Sequence, residues 1–161
     1  MEQAALSRRA WFTALASGAG AVVAACTTGP TVQETTTPEG KILQWESDDL
    51  LVIVSGIQPS YRRGDTIKVN LLVNNQSANT AQVRLRTRLL ARGDQAVAEA
   101  EVAGLTVEGD DASNVDREIP VARSLPTGEY TLSVEVPPWK VDGREVGRPA
   151  NLRSFVQIVD E

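Results

Sequence analysis

Residues 82–90 read Gln-Val-Arg-Leu-Arg-Thr-Arg-Leu-Leu, in which aliphatic or threonine side chains alternate with arginines. A repeat of two is the period of a β-strand with one dry face and one wet face. Val83, Leu85, Thr87 and Leu89 fall on the inner face, and Arg84, Arg86 and Arg88 on the outer. Residues 66–73 repeat the pattern, with Ile67, Val69, Leu71 and Val73 on one side and Lys68 and Asn70 on the other. Gly93-Asp94 then reads as a two-residue hairpin turn, and glycine at its first central position selects type II′. That turn sets Arg88 opposite Glu99 and Arg86 opposite Glu101, facing charges of opposite sign that support the pairing.

Further out, strands are predicted at 42–46, 50–54, 102–107, 115–121, 129–136 and 152–159, separated by Gly, Pro, Asn and Asp turns. Residues 50–54, Leu-Leu-Val-Ile-Val, are apolar without a break, which suits a strand buried on both faces or crossing between sheets. Asp142-Gly143 marks a late hairpin with arms at 140–141 and 145–146, headed by Trp139. No amphipathic helix longer than two turns is visible after residue 26. Seven to nine short strands in residues 41–161 give an all-β fold, an antiparallel sandwich.

One local stretch sharpens this. Gly128-Glu129-Tyr130-Thr131-Leu132 resembles the tyrosine corner that opens strand F of immunoglobulin-like domains, with Leu132 where a disulfide cysteine sits in antibodies. The resemblance implies an immunoglobulin-like β-sandwich. Pro126 replaces the usual aspartate and no strand-C tryptophan is present, so an antibody-type domain is not implied. Residues 61–66, Tyr-Arg-Arg-Gly-Asp-Thr, together with Leu125-Pro126-Thr127-Gly128-Glu129-Tyr130, are also similar to bacterial macroglobulin-type modules. That likeness spans residues 59–136 and is carried mostly by turn chemistry.

The first 25 residues have a different composition. Arg8 and Arg9 precede an apolar run of about 15 residues that ends in small side chains, the layout of an export signal. The run is shorter than the roughly 20 apolar residues of a transmembrane helix. Val23-Ala24-Ala25-Cys26 resembles the lipobox of bacterial lipoproteins, which implies that Cys26 is diacylated and becomes the mature N-terminus. The alternative is an uncleaved apolar anchor with an incidental cysteine. Ser7-Arg8-Arg9-Ala10-Trp11-Phe12 resembles a twin-arginine export motif, although Trp11 stands where phenylalanine is usual and Thr13 where lysine often follows. A plain basic n-region for the general secretory route is the other reading. The expected organisation is an export signal at 1–25, a lipidated cysteine and disordered Thr/Pro tether at 26–40, and the sandwich at 41–161. The expected location is the bacterial cell envelope, on the outer face of the cytoplasmic membrane or at the outer membrane.

Composition excludes several function classes. Losing residues 1–25 removes Glu2, Arg8 and Arg9, leaving 14 Lys and Arg against 20 Asp and Glu, a net charge of −6. An acidic domain is a poor match for nucleic acid. Histidine is absent, which removes the commonest general base and metal ligand, and the single cysteine permits no internal disulfide. Ser55, Ser60 and Ser124 have no histidine to activate them, and a Ser–Lys pair with Lys41, Lys68 or Lys140 has no supporting spacing.

The binding candidates are few. Arg84, Arg86 and Arg88 form a cationic ladder that suits phosphate or uronic-acid groups, unless Glu99 and Glu101 neutralise it. Trp139 with Lys140 and Arg144 suits a sugar or a partner protein, and a tryptophan covering one end of the sandwich is the plainer alternative. Two Arg-Gly-Asp triplets, 63–65 and 92–94, read as turns. The acidic loop 108–111 lacks the ligand spacing of a calcium loop and reads as solvated. Neither a cofactor nor a metal is expected. The expectation is a non-enzymatic, lipid-anchored module, held to the membrane through Cys26 and offering edges or loops such as 137–150 to a protein partner. An envelope polysaccharide is the second expected ligand class.

Overall fold

The alternation read in the sequence produces strands throughout. The computed structural model describes residues 31–47 and 49–160, and every regular element in them is a β-strand. Thirteen occur among the described residues: β1 Val32–Thr37, β2 Gly40–Glu46, β3 Leu50–Ile57, β4 Ser60–Arg62, β5 Thr66–Asn75, β6 Ala81–Ala91, β7 Gln95–Glu99, β8 Ala103–Val107, β9 Ala112–Pro120, β10 Gly128–Val136, β11 Trp139–Val141, β12 Arg144–Val146 and β13 Ala150–Val159. Arg8, Arg9 and Cys26 lie outside the described residues.

One sheet has the order β1-β2-β3-β5-β9. In the other, β6 is flanked by β7 and β8 on one edge and by β10 and β11 on the other, with β13 and β4 beyond β10. Pairing is antiparallel except between β13 and β4. The apolar run at 50–54 explains that exception. It begins the chain's crossing from sheet to sheet: β3 pairs with β5, the chain bends through Gln58-Pro59, and β4 joins β13. Proline at the bend removes a ladder donor where no ladder continues. This crossing and these sheet orders make the domain an immunoglobulin-like β-sandwich.

The strand count exceeds seven to nine because long strands are broken and edges are extended. The crossing strand is split into β3 and β4, the edge beside β6 into β7 and β8, and β11–β12 forms a separate small hairpin. Inner-facing residues of both sheets make one core, with Leu43, Trp45, Val54, Leu71 and Ile119 from one and Leu85, Leu89, Leu132, Val134 and Leu152 from the other. Tyr130 closes the corner expected of it, donating its hydroxyl hydrogen to the Pro126 carbonyl at 2.8 Å.

Two expectations are corrected here. The tether of 26–40 is not disordered over its second half, because Val32–Thr37 is a strand paired with β2. Its threonines are largely exposed, so burial does not hold it. Main-chain pairing does, helped by β-branched side chains and by Glu34, which accepts the Ser154 hydroxyl at 2.7 Å from across the sandwich. The hairpin after β6 is also not a two-residue type II′ turn. Ala91 faces Gln95 across the three residues Arg92-Gly93-Asp94, and both Gly93 (φ 78°) and Asp94 (φ 60°) are left-handed. A bulge between Leu89 and Leu90 then restores Arg88 opposite Glu99, but β7 ends there, and Arg86 faces Glu135 of β10 rather than Glu101.

Candidate functional site

Strand β6 positions the candidate site. Its inner side chains are locked in the core, so Gln82, Arg84, Arg86 and Arg88 must point away from it. Both flanks of the strand are interrupted beside these residues. On one edge, β10 leaves β6 after Glu135 meets Arg86, Pro137-Pro138 intervenes, and β11 resumes with Lys140 opposite Gln82. On the other, β7 stops at Glu99 and β8 starts at Ala103. Interruptions of this kind bend a sheet and re-aim its side chains. The result is a groove of about 1100 Å³ over β6, lined by Arg84 and Arg86, by Gly104 and Thr106 of β8, and by Pro137, Pro138, Lys140 and Glu145.

Charge in the groove is uneven. Arg88, just past it, pairs with Glu135, and its Nε is buried without a hydrogen-bond partner. The side chains of Arg84, Arg86 and Lys140 are exposed and hold no ion pair or hydrogen bond among the described residues. The expected neutralisation of the ladder by Glu99 and Glu101 therefore holds for neither Arg84 nor Arg86. Glu99 lies opposite Arg88 without an ion pair to it, and Glu101 is outside the ladder. Three of the expected contact residues come together here, Arg84, Arg86 and Lys140. Arg144 is exposed on β12 opposite Val141 and does not line the groove.

Trp139 is not a contact residue. It is 3% exposed and meets Trp45 edge to face, the ring centroids 6.0 Å apart at 80°. Pro137-Pro138 shifts the alternation by one, turning Trp139 inward after Val136 and leaving Lys140 outward. Gly147, at φ +81°, lies against the ring, and a Cβ there would sit 2.2 Å from it.

The remaining motifs are structural in character. Asp65 of the first Arg-Gly-Asp triplet accepts the Arg62 amide at 2.9 Å, and Arg63 pairs with Asp160. Asp94 of the second pairs with Arg153 at 2.9 Å. In the acidic loop, the Asp110 amide is bound by the Ser77 carbonyl, and buried Asn75 donates to the Val107 and Glu108 carbonyls. No group of three potential metal ligands occurs among the described residues.

Two features were missed in the sequence. Ser154, buried, lies 3.4 Å from the Lys41 amine. That amine also donates to the Phe155 carbonyl at 2.9 Å and pairs with Glu34 at 3.5 Å. The cluster clamps the β1–β2 hairpin to β13. Phe155 is the second feature: 62% exposed, on the same outer face as Arg84 and Arg86. The signal was its outward position in the alternation of 152–159.

The fold and the groove together define an immunoglobulin-like sandwich module with a cationic cleft on one face. No protein-family model matches the chain, and no curated protein matches it. Among solved structures it is similar to the β-glucosidase from Listeria innocua in complex with glucose, with a TM-score of 0.51 and 11% identity over 71% of this chain and 16% of that one. The same enzyme in complex with isofagomine gives a TM-score of 0.50 at 12% identity, over 71% of this chain and 17% of that one. A family 123 glycoside hydrolase from Clostridium perfringens aligns with 65% of this chain and 23% of its own, at 9% identity and a TM-score of 0.46. The chain thus spans less than a quarter of each neighbour, and at such identities the likeness is one of fold.

Proposed function

We propose that this chain is a lipid-anchored, non-enzymatic cell-envelope module that binds a protein partner through the outer face of its β6–β10–β13 sheet. The observation that carries the reading is Phe155, a large aromatic 62% exposed, pointing outward midway along β13 opposite Thr131 of β10. Exposed aromatics on rigid strands are the usual energetic anchors of protein interfaces. Anchoring follows from the lipobox at Val23-Ala24-Ala25-Cys26 and the preceding signal, with the twin-arginine route as the proposed export path. Residues 27–31 separate Cys26 from β1, and a fully extended chain of that length reaches about 20 Å. The first strand begins at Val32, which faces Trp45.

Capture tests this reading. A C-terminally tagged copy, crosslinked in intact cells and purified, is expected to bring one dominant stoichiometric protein with it. Recovery of the lipidated protein alone contradicts the reading.

A second reading, an acidic envelope polysaccharide in the groove, is favoured by one observation: the side chains of Arg84 and Arg86 have no ion pair among the described residues. Burial of Trp139 takes away the stacking ring that this reading also used.

A further inference from the structure

We infer that the groove over β6 takes an extended acidic segment of the partner protein, one with Asp or Glu at alternate positions. The inference rests on the protein-binding reading above and names the chemistry of its partner. Cations occupy three successive levels of one face: Lys140 directly opposite Gln82, then Arg84, then Arg86. Same-face positions along a strand recur every ~6.6–6.8 Å, and so do the alternate side chains of an extended peptide laid along it. An extended segment with carboxylates at every second residue therefore meets a cation at each level. The two guanidinium groups offer paired donors that match carboxylate geometry.

The groove also fits a chain better than a lone anion. At about 1100 Å³ it is far larger than one carboxylate or phosphate, and Pro137 and Pro138 on one side with Val102 and Leu105 on the other give it apolar walls. No aromatic ring lines it among the described residues, which offer sugar rings no stacking surface. Its carboxylates do not cancel the field. Glu135 is engaged by Arg88, which leaves Glu145 against Arg84, Arg86 and Lys140. The cations that line the cleft make it locally positive on an acidic chain, and the selection for carboxylates is confined to segments that enter it.

The test uses the intact protein in detergent micelles, titrated calorimetrically with a peptide alternating Glu and Thr, its Gln–Thr counterpart, and oligogalacturonate. The Glu–Thr peptide is expected to bind and the Gln–Thr peptide not to. Arg84→Gln with Arg86→Gln is expected to weaken binding about tenfold or more. Lys68→Gln with Arg92→Gln, the same charge change placed elsewhere, is expected to leave it unaltered. Unchanged binding by the Arg84/Arg86 variant overturns the inference. Arginine-dependent retention of oligogalacturonate in place of the peptide overturns it as well. A wild-type protein that captures its partner in cells but ignores the Glu–Thr peptide overturns this inference alone. Failure to capture any partner overturns the reading on which it rests.

Discussion

Trp45 and Trp139 stand 94 positions apart in the chain and meet edge to face inside the sandwich, ring centroids 6.0 Å apart. One comes from β2 and the other from β11, so the contact joins the two sheets at the end where β1 begins. Trp139→Ala opens a large cavity there and is expected to destabilise the fold by about 3–5 kcal/mol in chemical denaturation. A tryptophan that served only as a surface contact would leave stability unchanged.

Gly147 depends on the same ring. An alanine there combines a left-handed backbone at φ +81° with a Cβ 2.2 Å from Trp139. Gly147→Ala is expected to cost about 1–3 kcal/mol. Gly143→Ala, at φ +74° but with no atom within 4 Å of its Cβ, should cost less, and thermal melts of the two compare strain with and without the clash.

Asn75 is a polar plug. Its side-chain amide donates to the Asn79, Val107 and Glu108 carbonyls, and its oxygen accepts from the Ser77 amide and hydroxyl. Asn75→Ala strands these groups at a buried site, and a loss of about 2–3 kcal/mol is expected. Hydrogen exchange should rise first in residues 76–80 and 108–111.

Burial raises the Tyr61 hydroxyl above its ordinary pKa of 10.0, against the smaller opposing pull of the Gln58 amide that it accepts. The folded state thus keeps its proton where the unfolded chain loses it. Stability from this group is full below about pH 10 and falls as pH climbs through the raised folded value. Tyr61→Phe is expected to flatten the loss of stability between about pH 9 and pH 11, measured by urea titration at each pH.

How much of this was legible in the sequence differs from residue to residue. The alternation of 66–73, 82–90 and 152–159 carried the sandwich, because side-chain burial dictates it. Tyr130 was readable because its corner is local, the hydroxyl reaching a carbonyl four residues back. β1 was not, since an edge strand of exposed threonines is held by main-chain pairing that composition does not report. Trp139 was placed outward as one of two choices, and only the shift at Pro137-Pro138 decides between them. The groove was beyond reach for a different reason. It requires breaks on both flanks of β6 at adjacent levels, Pro137-Pro138 beside residues 83–85 and the gap between Glu99 and Ala103 beside residues 86–87.

Phe155 gives the most direct test of the account. Its side chain is exposed and its outward position leaves the core untouched, so Phe155→Ala should preserve the melting temperature. The measurement is partner capture from crosslinked cells, with tagged wild type and tagged Phe155→Ala side by side. The account predicts a stoichiometric protein with the wild type and its loss, by about tenfold or more, with the variant. Equal capture by both, or no partner with the wild type, would contradict it.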